Sequence, residues 1–549
     1  MSMKHVGHWV RVLPSSRFLA SKMHNKTANK FVSGFYTNNK STLMNSSPLK
    51  KINNLVIVGG GTTGWMTAAA LSQHFKGQAI TITVVESTVL GTVGVGEATI
   101  PTLRRFCNEL GYSDDDIIKA TNATCKLGIE FQNWYQLGSR FIHPFGLYGQ
   151  STKEVPFHHY WLRAKQHGHH VPLSAYSLGA NLALQNKFSP QQKPPTNQLE
   201  VFDWAYHFDA SLFANLMKKH ALSLGVKLID KQVTQVTVAQ NSQQISQLLF
   251  SDNSRLQGDF FIDCSGFKGL LLQQALQVPY INWSQWLVCD RAFAVQTHSH
   301  KHINARTIAK AHSAGWQWQI PLQNRTGNGI VYSSKYCTDQ QALNTLEGSL
   351  TEAMINEPKA LSFTPGRCKQ AWQGNCIAIG LAAGFLEPLE STSIALVETA
   401  IARIQQLLPT GQYTAQTQKQ FNDTTALEYE HVRDFIILHY KLNQRTDSAM
   451  WQYCRDMPIP TSLAQKMQVF KDTGHVLPRA WEMFGKDSWL AIFDGFNYLP
   501  EHYHPRADNM PAQYLIEQLN FMQNTITTLT QQTPTHSEFL SKFTLSTCY

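Results

Sequence analysis

The chain has 549 residues and a formal net charge of +10, enough length for a sizeable core and more than one module. Residues 1–50 hold eight of the 47 Lys and Arg and none of the 37 Asp and Glu; the remainder carries only +2, which argues against general polyanion binding and a nucleic-acid partner. The apolar run nearest to a membrane span, Leu55 to Leu71, is broken by glycines and threonines, so no transmembrane helix is expected.

The first 50 residues are rich in Ser, Asn, Lys and Thr without apolar periodicity, and are read as a dispensable disordered basic tail, with Met44 as an alternative start. Leu55-Val56-Ile57-Val58 then predicts a buried parallel strand that feeds Gly59-Gly60-Gly61-Thr62-Thr63-Gly64. A helix from Trp65 to Phe75 and a strand from Ile80 to Val85 follow, the strand ending in Glu86-Ser87. Glycines at this position let the backbone approach a pyrophosphate at a helix N-terminus, and an acid 22 residues beyond Gly64 is spaced to accept from a ribose hydroxyl. Gly59, Gly61, Thr62, Thr63, Gly64 and Glu86 are therefore candidate dinucleotide-binding residues.

Farther along, Cys125, Leu127, Ile129 and Phe131 alternate with Lys126, Gly128 and Glu130, which reads as one strand whose polar face pairs Lys126 with Glu130 in water. Phe260 to Gly266 and Asn375 to Gly384 look like returns to the nucleotide sheet, the second running into a helix from Ser393 to Leu408 with apolar positions at 3-4 spacing. A nucleotide fold that closes in this way favours FAD over NAD. His298, His300 and His302 could share a strand face, but no acid or thiol accompanies them and no metal site is expected. In Trp316-Gln317-Trp318-Gln319-Ile320-Pro321 the indoles at i and i+2 share one strand face and build an aromatic wall. Thr525 to Thr533, rich in Thr and Gln, is read as poorly packed. Nine scattered cysteines without C-x-x-C or zinc spacing suggest reduced thiols and a cytoplasmic protein.

Seven motifs in order carry a resemblance: Gly59 to Met66, Gly94-Val95-Gly96-Glu97-Ala98-Thr99-Ile100-Pro101, Lys126 within Asn122 to Lys126, His143-Pro144-Phe145-Gly146, Asp263-Cys264-Ser265-Gly266-Phe267, the Trp316 to Pro321 hexapeptide, and Glu387-Pro388-Leu389-Glu390-Ser391-Thr392. The chain resembles flavin-dependent halogenases of the tryptophan-halogenase type from Leu55 to beyond Asp494. The resemblance implies FAD, used as FADH2 from a separate transient flavin reductase, and a halide co-substrate, chloride or bromide, oxidised to hypohalous acid. It implies Lys126 as the residue that carries the electrophilic halogen and Glu390 as the carboxylate that polarises it and accepts the ring proton. The halide falls on the amides of Thr392 and Ser393, the latter a glycine in most relatives. His143 and Phe145 match substrate-lining positions; Ser87, Val233, Leu381 and Ile394 match flavin contacts, and Ser87 to Val93 a mobile strap. Trp316 and Trp318 become the wall between flavin and substrate.

Tryptophan-specific members hold the amino-acid group of the substrate with tyrosines and a glutamate; here Leu477 to Trp489 is shorter and has no Tyr-Tyr pair, although Glu482 is a candidate substitute. A site for a zwitterion needs such groups, so an indole-like or other electron-rich aromatic is expected instead of free tryptophan. The expected fold is α/β: a flavin module over 51–410, with a glutathione-reductase-like βαβ unit and an inserted substrate-side sheet, and a mostly helical cap over 411–549. The alternatives are a flavin-dependent aromatic hydroxylase, and a flavin-binding interaction protein without catalysis. Oligomeric state stays open, a homodimer being one candidate.

Overall fold

The computed structural model describes residues 49–89, 96–240 and 242–544; the basic tail up to residue 48 and residues 90–95, which include most of the expected strap Ser87 to Val93, lie outside the described residues. The nucleotide sheet has six strands in the order Trp372–Gln373, Cys376–Ala378, Phe260–Asp263, Asn54–Val58, Thr81–Glu86 and Lys227–Asp230. All neighbours are parallel except the first pair. The apolar run of Asn54–Val58 has its reason here. Leu55 and Ile57 enter one hydrophobic cluster with the helix Thr62–His74, while Val56 and Val58 enter another with Phe261 and Ala378, so both faces of the strand are covered.

A second, seven-stranded sheet runs in the order Lys359–Ser362, Arg291–His298, Arg325–Tyr332, Gly315–Pro321, Thr307–His312, Gly128–Gln132 and Arg140–Pro144. It is antiparallel except where Thr307–His312 meets Gly128–Gln132. A small antiparallel sheet of Gly96–Ala98, Ala205–Asp209 and Thr124–Lys126 contributes the lysine. After residue 411 the chain is mostly helical: Ala415–Lys441, Ala449–Asp456, Thr461–Thr473, Lys486–Gly495, Ala512–Gln532 and His536–Thr544. The first of these opens with a capping box from Thr414 and Thr417, and from Glu428 to Tyr440 all but Glu430 are buried. Among the described residues no helix is long and apolar enough to cross a membrane.

Three expectations are corrected. Lys126 and Glu130 do not share a strand face in water: the chain changes sheets at Leu127, whose N–H donates to Ala305 O at 2.8 Å. Lys126 is fully buried, and Glu130 pairs with Arg306 at 2.6 Å instead. Thr525 to Thr533 is largely helix, with Ile526 and Thr530 in the core; exposed threonines there donate to carbonyls four residues back, which satisfies the hydroxyls without disturbing the helix. The strand carrying His298 ends at that residue, and His300 turns to Gln319 and Glu352.

Candidate active site

At the nucleotide end, the glycines are required by close backbone contacts. Gly59 has φ +123°, and a Cβ there would lie 2.1 Å from Cys264 O; one on Gly64 would lie 1.8 Å from Gly59 O, neither of which a larger residue tolerates. A Cβ on Gly61 would point into open space. Gly61 is also the N-cap of Thr62–His74, whose first turn receives no side-chain cap, so its amides remain for a phosphate. Glu86 closes the neighbouring strand, with Trp65 Nε1 donating to it at 3.1 Å and Lys218 Nζ at 2.5 Å. Thr62 Oγ1 donates to Ala210 O, and Thr63 faces Gly380, which has φ +65°. Leu381 stands in the turn Gly380–Ala382, Ile394 is buried at the start of its helix, and Val233 packs half-buried beside the cluster containing Val58, Val85 and Ala378. Ser87 follows the strand, and Thr88 beside it donates twice to Asp230. An uncapped helix terminus, open space at Gly61 and an acid on the adjacent strand fit a dinucleotide such as FAD.

The second half of the site begins with the sheet change at Leu127. Gly128 passes so close to His143 that a Cβ would be 2.4 Å from its carbonyl oxygen. Ile129 pairs with His143, and Phe145 N–H donates to Leu127 O at 2.8 Å. This crossing brings Lys126 Nζ to 5.1 Å from the Phe145 ring centroid. Lys126 Nζ donates to Thr99 O and to Ser391 Oγ, each at 2.8 Å. Burial pushes its ammonium down to about 7, a shift that nearby Glu390 partly opposes; desolvation favours the neutral amine.

Ser391 belongs to the turn after Pro388–Glu390 and has φ 59°, a strained left-handed conformation for a residue with a Cβ. The strain aims its hydroxyl at Lys126 while Glu390 turns to two imidazoles. His143 Nδ1 is 2.9 Å from Glu390 Oε2, and His439 Nε2 is 2.8 Å from Oε1. Burial alone would raise this carboxyl, but the two histidines outweigh it and hold it down at about 2, a carboxylate ready to accept. Thr392 is the N-cap of Ser393–Leu407 yet makes no capping bond, and its buried Oγ1 has no hydrogen-bond partner among the described residues. Such an uncapped N-terminus is suited to a small anion.

Trp316 and Trp318 lie on one face of Gly315–Pro321, their ring centroids 6.2 Å apart, as the period-two reading requires. Their surroundings differ. Trp316 is buried and donates from Nε1 to Glu387 Oε2 at 2.8 Å, where Tyr440 OH also donates at 2.7 Å. Trp318 packs beside Ala98, Ile320 and Leu322 and covers Gly329, where a Cβ would meet its ring at 2.1 Å. Neither indole bonds to Lys126 or Glu390. Glu482 is occupied by Lys466 and by the Arg479 amide. Sequence reasoning missed His439, Ser391 and the Glu387 contacts. Ser391 lay inside a quoted motif, but its backbone strain has no sequence mark; His439 stands 49 residues beyond Glu390 in an unremarkable apolar helix.

A family model described as tryptophan halogenase matches residues 54–512. The chain belongs to the tryptophan halogenase family. It is 35% identical over 450 residues to tryptophan 6-halogenase SttH of Streptomyces toxytricini, covering 77% of this chain and 86% of that protein. Among solved structures it is similar to BrvH, a flavin-dependent halogenase from Brevundimonas sp. BAL3, with TM-score 0.87 and 49% identity over 90% of this chain and 99% of the other. Xcc4156, a flavin-dependent halogenase from Xanthomonas campestris, gives TM-score 0.86 and 39% identity over 90% and 99%. This family member is thus a flavin-dependent halogenase, an oxidoreductase acting on an aromatic substrate.

Proposed function

We propose that the enzyme halogenates an indole-like or other electron-rich aromatic ring, with Lys126 as halogen carrier and Glu390 as the carboxylate that meets the reacting ring. The observation that carries this reading is the joining of Lys126 and the Glu390 turn through Ser391 in a site closed to water. Reduced FAD, held by Gly59, Gly61, Thr62, Thr63, Gly64 and Glu86 and supplied by a separate reductase, would provide with oxygen the oxidising equivalent that turns chloride or bromide into hypohalous acid. The first-turn amides at Thr392 and Ser393 would hold the halide.

Lys126 has two acceptors fixed, Thr99 O and Ser391 Oγ. A neutral amine that donates both its hydrogens there has its lone pair aimed at the remaining direction; an ammonium presents a third N–H along the same line. The amine can take the halogen, releasing water, and the ammonium can hold hypohalous acid by hydrogen bonding. When the ring carbon has accepted the halogen, the displaced ring proton goes to Glu390. His143 and Phe145 border that position, which favours a flat aromatic. Free tryptophan is disfavoured because Glu482, the candidate partner for its ammonium group, is already paired with Lys466. Free cysteines among the described residues suit a reducing cytoplasm.

The test incubates the purified enzyme with a flavin reductase, FAD, NADH, oxygen and either halide, offers indole and other aromatics, and identifies products by mass. Halogenated product that disappears in Lys126→Ala supports the reading. Hydroxylated product, or equal halogenation by Lys126→Ala, overturns it.

A further inference from the structure

His439 is the one partner of Glu390 that lies outside every sequence motif, and its hydrogen bonds fix its protonation. Its Nδ1 is 2.8 Å from Phe435 O, the carbonyl one turn earlier on the same helix. A carbonyl only accepts, so Nδ1 must carry hydrogen. A neutral imidazole would then present a bare lone pair at Nε2, yet Nε2 stands 2.8 Å from Glu390 Oε1. Two lone pairs do not approach to that distance in a dry interior, so one further proton lies between His439 and Glu390. We propose that this proton belongs to His439, a buried imidazolium that acts as a positioning residue, keeping Glu390 ionised and oriented when the aromatic substrate arrives.

Two features put the proton on nitrogen. Glu390 already accepts from His143 on its other oxygen, at 2.9 Å, and a second N–H donor favours the carboxylate over the acid. The imidazole is also walled by aromatic rings: Phe131, Phe435, Trp134 and Phe496 have centroids 5.0, 5.2, 6.2 and 6.2 Å away, and the last three meet it edge to face. These rings exclude water from the pair, so the attraction between the imidazolium and the carboxylate is not screened by solvent. Glu390 is the titratable group in hydrogen-bond contact with His439; His143 lies across the carboxylate and Lys126 acts on it electrostatically. The imidazolium and carboxylate together are neutral, so the buried site holds an ionised acceptor without net charge. A halogenated ring cation is acidic enough that a weak base suffices; what Glu390 requires is to be ionised and in place. This inference rests on the role proposed for Glu390, but its physical content is separable from activity.

Nitrogen-15 NMR of the full-length chain labelled at histidine provides the test. One histidine should have both ring nitrogens protonated at pH 8, and that signature should vanish in His439→Asn. Glu390→Gln, which leaves His439 in place, should return the ring to the neutral form and keeps the test valid if His439→Asn does not fold. In turnover assays with indole, His439→Asn should move the acid limb of kcat/KM upward, with activity falling about tenfold per pH unit below it, while the parent stays flat there. Absence of an imidazolium at pH 8, its persistence in Glu390→Gln, or an unmoved pH profile in a folded His439→Asn overturns the proposal. If halogenation is never found but the imidazolium is, only the functional reading fails.

Discussion

The two halves of the site are built in opposite ways. At the nucleotide end the working parts are backbone amides and glycine gaps, gathered within Gly59 to Glu86 by one strand, helix and strand. At the Glu390 turn they are side chains from Lys126, His143, Ser391 and His439, drawn from different elements. The first half needs space, and its sensitivity is steric. The second needs protons and lone pairs in fixed places, so replacements of nearly the same shape should damage it.

The contrast predicts its largest effect at Lys126. Lys126→Ala should reduce halogenation by about 100-fold to 10,000-fold, the range for removing a group that acts directly on the reacting atoms, while flavin still binds, as followed by flavin fluorescence. Lys126→Met, similar in length but without donors, should be as inactive. A variant that loses flavin binding together with activity would break the distinction between the two halves.

Gly64→Ala should do the reverse. A Cβ 1.8 Å from Gly59 O forces the turn apart at a cost of about 1–3 kcal/mol, so flavin affinity and Tm should fall together. Gly61→Ala should leave Tm nearly unchanged, since its Cβ meets no protein atom within 4 Å, and should weaken flavin binding alone. Equal losses of Tm in the two variants would remove the steric account.

This division also explains what the sequence made legible. The glycine-rich half depends on local order, so strand, glycines, helix and acid could be read at their spacing, and Thr62–His74 and Thr81–Glu86 begin or end within a few residues of expectation. Lys126 and Glu390 were named through the family resemblance. Their pairing through Ser391 is set by a left-handed backbone residue that no periodicity announces. The alternation from Cys125 to Phe131 misled because it spans two strands of different sheets, Thr124–Lys126 and Gly128–Gln132, with the change at Leu127. His439 was invisible because a buried helix reads as apolar whether or not one of its side chains faces a carboxylate 49 residues earlier.

The hexapeptide sharpens the comparison on a smaller scale, because its two indoles divide along the same line. Trp316→Phe keeps the ring and removes one N–H, leaving Glu387 with Tyr440 as its only remaining donor among the described residues. The buried carboxyl should then cost the fold about 1–3 kcal/mol, read as a lower denaturation midpoint, and slow turnover by loosening the Glu387 to Glu390 turn. Trp318→Phe loses only packing over Gly329 and should change stability less. If the two variants are equally mild, the Trp316 hydrogen bond is incidental; if Trp318→Phe alone yields hydroxylated product, that indole is the barrier between flavin and substrate.

The smallest effect on turnover concerns Glu398, on the helix that starts at the turn. It is buried, its Oε1 has no hydrogen-bond partner among the described residues, and burial pushes its carboxyl up to about 8. A folded-state value above the ordinary 4.5 means the folded chain holds this proton when the unfolded chain has released it. Its contribution to stability is therefore full below 4.5 and is lost as pH rises towards 8, by at most about 1.4 kcal/mol per pH unit. Burial holds His159 down at about 3, helped by His475 and His504, and works in the opposite sense: its stability is present above 6.5 and lost as pH falls towards 3. Tm should peak between these limits. Glu398→Gln should flatten the alkaline side, raising Tm relative to the parent more at pH 8 than at pH 5, without changing the acid side. Since Glu398 touches neither Lys126 nor Glu390 by any hydrogen bond, the pH profile of turnover should keep its shape; a shift would extend the proton-bearing half of the site along this helix.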